Sequence, residues 1–199
     1  MAVNWFLVST NVKTKYRQSI LEARHALDPS KVINLSSAIL KTANKELTLQ
    51  AIETLGGYFA ANNEVDIEAL TNKRNNKNLI TTFPVIGPNQ SIKLIAPKNL
   101  EKLNKNKFNI FEPSNGPEIA PIKHEVIIVP SVGVDNKGFR LGYGGGYYDR
   151  LLMPVLQNKN RPLIVGLIYD FQFINDSINE KHDIKLDVVF SEKQTKKFT

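Results

Sequence analysis

The stretch EVIIVPSVGVDNKGFRLGYGGGYYDRLL, residues 125–152, constrains the fold more than any other part of the chain. An apolar run with the composition of a buried parallel strand meets a proline. Gly142, Gly144, Gly145 and Gly146 follow within the eleven residues from Arg140 to Arg150. The apolar and acidic pattern YYDRLLMPVLQ then starts a helix. A solvated turn needs one or two glycines, whereas a glycine-rich link from strand to helix is the layout of an anion site. Such glycines let the backbone approach a ligand closely, and successive N–H groups form a concave nest. The start of the helix adds the positive end of its dipole. Arg140 and Arg150 add full charges, and Asp149 supplies oxygens for a divalent ion bridging phosphates. The spacing is neither that of a Walker loop nor that of a dinucleotide fingerprint. On residues alone, a tight turn with packed tyrosines remains the alternative.

The rest of the chain fits a strand of this kind. NVKTKYRQSILEARHALD predicts an amphipathic helix with Tyr16, Ile20, Ala23 and Leu27 on one side and Lys13, Arg17 and Arg24 on another. Asp28-Pro29-Ser30 ends it and caps a second helix, KVINLSSAILKTANKEL. TLGGYFAA, NLITTFPVIG, SIKLIAP, EVIIVPSVGV, PLIVGLIYDF and LDVVFS read as strands, with a short helix in DIEALTNKR. This alternation predicts an α/β fold: a mostly parallel central sheet with helices on both faces, a three-layer sandwich in a single domain over residues 1–199. Ligands of such sheets sit beyond the carboxyl ends of the strands.

Composition narrows the function. With no cysteine, the chain has no disulfide, thiolate nucleophile or zinc–thiolate site. No apolar run approaches the ~20 residues of a membrane span. The apolar opening AVNWFLVS lacks the flanks of a secretion signal. A cytoplasmic location in a reducing compartment follows as an expectation. The net charge of +7, from 26 basic and 19 acidic residues, favours anionic partners. The excess is scattered lysine among asparagines, with no arginine stripe, so nucleic acid and membrane are not expected partners.

Residues 126–152 resemble the signature of the 5-formyltetrahydrofolate cyclo-ligase family. The match runs through Pro130, Asp135, Gly138, Arg140, Leu141, Gly142, Gly144, Gly146, Tyr147, Tyr148 and Asp149. Lys13 and Arg17 in the first helix, Glu64 and Asp66 in NEVDIEAL, LITTFPVIG, FNIFEP from Phe108 to Pro113, and KHDIKLDVVFSE follow in the family's order. Ser131 and Val134 stand where glycine and phenylalanine are commoner, and Gln172 is retained within FQF.

The resemblance implies conversion of 5-formyltetrahydrofolate, with or without a polyglutamate tail, to 5,10-methenyltetrahydrofolate at the expense of ATP, with Mg²⁺, in a monomer or weak homodimer. It implies that Gly142, Gly144, Gly145 and Gly146 cradle phosphates and that Lys13, Arg17 and Arg140 balance their charge. Asp149 and Asp183 would hold Mg²⁺, with Arg140 and Asp149 acting on the transferred group. Glu64 would accept hydrogen bonds from the pterin, Phe59 and Phe108 would line the folate pocket, and Tyr147 and Tyr148 would shape its walls or those of the nucleotide. Read without the family, Lys13 and Arg17 are equally a solvated helix face. Glu64 is equally a helix cap, Asp183 a turn cap, and Phe59 and Phe108 core residues. His124 and His182 have no metal-like spacing and read as structural. A nucleotide-binding accessory protein of the same architecture and an RNA-associated basic protein are the competing functions.

Overall fold

The protein is described by a computed structural model over residues 5–98, 100, 102–180 and 182–198, with backbone only for residues 5–11. The apolar opening read above lies outside the described residues in its first part, through residue 4. In chain order the elements are α1 (Trp5–His25), α2 (Pro29–Leu47), β1 (Thr54–Gly56), α3 (Glu68–Asn75), β2 (Ile80–Ile86), β3 (Ile92–Ile95), β4 (Leu103–Lys105), β5 (Phe111–Pro113), β6 (Val126–Ile128), β7 (Gly133–Val134), β8 (Arg140–Leu141), α4 (Tyr147–Leu152), β9 (Leu163–Leu167), β10 (Val188–Phe190) and β11 (Thr195–Lys197). The sheet runs β11-β10-β9-β6-β1-β2-β3. Its five central strands are parallel, and only the edge strands β3 and β11 are antiparallel to their neighbours.

The strand pleat sorts the core into two layers. Val126 and Ile128 of β6, Leu163, Val165 and Leu167 of β9, and Val188 and Phe190 of β10 pack with Ile39 and Ala43 of α2 and Leu70 of α3. The alternate residues Ile127, Ile164 and Val189 pack with Tyr148 and Leu152 of α4 on the other face. A third cluster joins Ile20 of α1 to Val132, Leu141, Ile174 and Ile178, where the chain has left the carboxyl end of β6. The first helix therefore packs against the end of the sheet where the glycine stretch lies.

Local chemistry sets the boundaries. Asp28 caps α2 by accepting from the Lys31 N–H at 2.9 Å, with Pro29 in the first turn. Several strands are shorter than the apolar runs that announce them. β1 stops at Gly56, and Asn62 and Asn63, both at positive φ, turn the chain back. β6 ends before Pro130, which has no N–H for the ladder. The chain resumes as the β7–β8 hairpin, with Gly133 opposite Leu141.

Arg74 is fully buried and ties the lower ends of these elements together. Its guanidinium donates to the carbonyls of Leu49, Ile52, Glu53 and Ile80 at 2.6, 2.9, 3.2 and 2.6 Å, and to the Thr81 hydroxyl at 2.9 Å. These groups lie just after α2, just before β1 and at the start of β2. Burial lowers its pKa to about 10, which leaves it charged at neutral pH. Replacement by Met removes every one of these donors from buried carbonyls, of which that of Glu53 keeps the Ile80 N–H as a partner, so Arg74→Met is expected to cost roughly 3–5 kcal/mol in urea unfolding.

His124 is buried between β2 and the turn before β6. Its Nδ1 lies 3.2 Å from the carbonyls of Ala120 and Pro121, and its Nε2 lies 2.8 Å from the Thr82 hydroxyl. Two carbonyls at Nδ1 require the proton there and make Nε2 the acceptor. Desolvation holds the folded pKa below 6.5. The folded state thus binds the proton less readily than the unfolded chain. Its contribution is complete above the unfolded pKa and is lost as pH falls below it. His124→Gln is expected to melt lower at pH 7 but to lose less Tm than the parent between about pH 7 and about pH 5, as scanning calorimetry would show.

Candidate active site

The site is built where α1 meets the loop between β8 and α4. Lys13, Arg17, Ile20 and Arg24 recur along one stripe of α1, and this stripe faces inward. That corrects the amphipathic reading of the helix. Ala23, assigned to the apolar side, is exposed, while Arg24 of the basic side is fully buried. The basic residues are answered by the loop and its neighbours rather than by water. Arg17 donates from Nε to the Gly142 carbonyl at 2.9 Å. Burial lowers the pKa of its guanidinium, and the Asp183 charge partly offsets this.

The glycines are needed for different reasons. Gly144 adopts φ +98°, a region that side chains rarely enter, and a Cβ there would point toward Arg17, whose Nη2 lies 3.9 Å away. Gly142 lies against Arg140, and a Cβ there would stand 2.9 Å from Nη1. Gly145 and Gly146 complete the loop into Tyr147, the first residue of α4. Arg150 donates from this helix to the carbonyls of Gln90 and Gly145 and thereby braces the loop against the β2–β3 turn.

A cavity of about 300 Å³ opens between α1 and this loop. Lys13, Arg17 and Arg140 line it together with Asp149, Glu180 and Asp183, and Gly142, Gly144 and Gly146 form its floor. Lys13 is paired with Asp183 at 2.6 Å and with Glu180 at 3.2 Å. Arg140 is paired with Asp149 at 2.8 Å. Asp149 also accepts from the Ile184 N–H at 3.2 Å, and Asp183 from the Glu180 N–H at 2.6 Å. The Nε of Arg140 is buried without a hydrogen-bond partner. Among the described residues, no three metal-ligating side chains form a ready-made metal centre. Two carboxylates, Asp149 and Asp183, at one cavity nevertheless suit the donor set of Mg²⁺, which typically takes one or two carboxylates and completes its shell with phosphates and water.

Glu64 lies at the far side of the loop. It is buried, and its Oε2 accepts from the Ala61 N–H at 3.0 Å. Its Oε1 accepts from the Tyr143 hydroxyl at 2.9 Å and lies 3.9 Å from Nη1 of Arg24. Burial raises its pKa, and Arg24 opposes the shift. Glu64 does not cap α3: it is Asp66 that accepts from the Glu68 N–H in the first turn, at 2.8 Å. Phe59 stacks on Phe83 at 4.3 Å and meets Phe111 edge-on at 6.3 Å. Phe108 is exposed and meets Tyr147 edge-on at 6.2 Å. The β4–β5 hairpin thus carries an aromatic residue to each group.

Tyr148 belongs to the core cluster under the sheet rather than to an open wall, and the Arg140 guanidinium lies 5.5 Å from its ring. The structure also brings in Arg24, Tyr143 and Glu180, which sequence reasoning left out of the site. Arg24 is signalled by its heptad spacing from Arg17, and Tyr143 by its place inside the glycine motif. Glu180 carries no comparable signal.

A mostly parallel sheet, a glycine loop entering a helix and a charged cavity beside it define an α/β protein with its candidate site at the end of its central strands. The model of the 5-formyltetrahydrofolate cyclo-ligase family matches residues 9–192, and the chain belongs to that family. A 5-formyltetrahydrofolate cyclo-ligase of Haemophilus influenzae is 28% identical over 185 residues, covering 90% of this chain and 97% of the relative. The Escherichia coli cyclo-ligase is 27% identical over 179 residues, covering 85% and 94%. The solved structure of Aquifex aeolicus 5,10-methenyltetrahydrofolate synthetase superposes with a TM-score of 0.80 at 28% identity, covering 94% of this chain and 93% of that one.

Gly144→Val places a β-branched residue at φ +98° and its methyls toward the cavity. Expected is a stability loss of about 1–3 kcal/mol with an unchanged far-ultraviolet circular dichroism spectrum. Calorimetric affinity for tripolyphosphate is expected to fall at least about tenfold, since the nest must meet the anion closely.

Proposed function

We propose that the chain converts 5-formyltetrahydrofolate to 5,10-methenyltetrahydrofolate, consuming ATP with Mg²⁺ and releasing ADP and phosphate. The observation that carries this reading is the convergence of Lys13, Arg17 and Arg140 on the glycine loop around one cavity, in a chain of this family. The formyl oxygen is a poor leaving group. Transfer of the terminal phosphoryl group of ATP to that oxygen, with loss of ADP, turns it into a good one. N10 of the folate then bonds to the activated carbon, gives up its proton, and the C–O bond breaks with departure of phosphate. Such a reaction calls for positioning and charge neutralisation rather than covalent help from the protein.

The loop amides from Gly142 to Gly146 cradle the phosphates in this reading, and Lys13, Arg17 and Arg140 balance their charge. Lys13 and Arg140 already answer carboxylates, so phosphate oxygens entering the cavity offer them equivalent partners without the cost of a newly buried charge. Asp149 and Asp183 would hold Mg²⁺, which supplies further neutralisation of the phosphate oxygens. Glu64 accepts the amino and ring N–H groups of the pterin as charge-assisted bonds. Phe59, Phe108 and Tyr147 offer flat apolar surface to its ring. Tyr148 supports Arg140 from below. The reading extends to one cyclo-ligase domain over residues 1–199, a cytoplasmic location, a substrate with or without a polyglutamate tail, and a monomer or weak homodimer. Among the described residues, no helix is long and apolar enough to cross a membrane.

The test is the near-ultraviolet absorbance of methenyltetrahydrofolate, which the formyl substrate lacks. The purified chain is expected to produce it only with both ATP and Mg²⁺. Asp149→Asn is expected to cut turnover by roughly 100-fold, because an amide neither balances a cation nor keeps the ion pair with Arg140. Absorbance that grows without ATP, or an Asp149→Asn variant of normal turnover, contradicts the reading.

A further inference from the structure

Tyr143 stands between two charged groups that would otherwise meet. Its hydroxyl accepts from Nη2 of Arg24 and lies 2.9 Å from Oε1 of Glu64. With Glu64 ionised, the direction of both bonds follows from the groups themselves. A guanidinium has only donors, so the tyrosine oxygen accepts from it; an ionised carboxylate has only lone pairs, so the tyrosine proton goes to Glu64. Burial pushes the Tyr143 pKa up to about 12, which keeps that proton in place.

Arg24 is otherwise anchored. Nε donates to the Asn62 carbonyl at 2.7 Å, and the Asn63 side chain donates to the Arg24 and Leu27 carbonyls at 3.1 Å each. Its Nη1, however, is buried with no hydrogen bond and lies 3.9 Å from Oε1 of Glu64. A buried donor without a partner costs free energy, and a carboxylate just out of reach would remove that cost by a small movement. The observed placement of Glu64 is the one bonded to Tyr143; a carboxylate drawn onto Arg24 would satisfy Nη1 instead.

We infer that Tyr143 is a positioning residue that props Glu64 away from Arg24 and holds its carboxylate in register with the glycine loop, so that the two halves of the substrate pair meet one preassembled unit. This rests on the reading of Glu64 as the folate acceptor and of the loop as the phosphate cradle. The geometry supplies the link between them, because Tyr143 is part of that loop, one residue from Gly142 and Gly144. Without the hydroxyl, the carboxylate closes on Arg24 as a fork-like pair, which satisfies Nη1 and spends the oxygens that folate would use.

Tyr143→Phe isolates the effect. The ring, 5.6 Å from the Arg24 guanidinium, keeps its packing and only the hydroxyl is lost. The folate KM is expected to rise about tenfold, as for loss of an aligned charge-assisted acceptor, with kcat within about twofold. ATP affinity measured by calorimetry without folate is expected to stay within about twofold. Glu64→Gln alone is expected to raise the folate KM, and adding Tyr143→Phe to it is expected to bring no further loss, since the tyrosine acts through the carboxylate. An unchanged folate KM in Tyr143→Phe overturns the inference. So does a double variant whose losses multiply, or a lower melting temperature with equal losses in both substrates. If Glu64→Gln leaves the folate KM unchanged, the folate reading of Glu64 falls and the inference with it, a pattern distinct from the other failures.

Discussion

A helix that turns its basic stripe inward must find partners for every charge it buries, and this requirement organises the end of the sheet. Taking a cation out of water costs several kcal/mol unless it is paired and hydrogen-bonded. α1 meets the requirement three times along one face. Lys13 reaches Asp183 and Glu180, Arg17 the carbonyl of Gly142, and Arg24 the Asn62 carbonyl and Tyr143. Between them these partners lie on three separate segments. The helix thus pins the loop after β8, the turn after β1 and the segment before β10 relative to one another, and the cavity is the space left between them.

The central sheet, the capping of α2 and the strand–loop–helix unit at residues 125–152 are legible in the sequence. Their signals are local: apolar composition, Asp28-Pro29, and clustered glycine. The orientation of α1 is not legible, because the amphipathic rule assigns charge to water. That rule fails where the neighbouring surface is a polar loop rather than an apolar core, which is why Ala23 faces out and Arg24 faces in. Strand lengths are overestimated where Gly56 and Pro130 end the ladder inside a continuous apolar run. The hairpins β4–β5 and β7–β8 are too short to leave a period. Tyr148 sits within the motif that marks the site, yet its direction under the sheet depends on the turn of α4, which spacing alone does not set.

The candidate site inherits its rigidity from two unlike sources. On one side the parallel strands lock β6, β9 and β10 through alternating apolar residues on both faces. On the other, the loop is held by side chains that bond to its carbonyls, Arg17 at Gly142 and Arg150 at Gly145. Bonds to carbonyls leave the loop's N–H groups for a ligand. A glycine loop braced through its acceptors is prepared to give its donors to an anion.

The sheet also ends in a way that protects it. On its outer side β3 already meets the segment around Glu118: the Ile119 N–H donates to the Leu94 carbonyl at 2.8 Å, and Lys93 pairs with Glu118 at 2.7 Å. At the opposite margin β11 offers only three residues, two of them lysines, with Lys197 lying 3.5 Å from Glu46. A neighbouring molecule approaching that margin strand to strand meets positive charge and too short a rail to join. Both margins therefore make poor templates for a strand added from a neighbouring molecule.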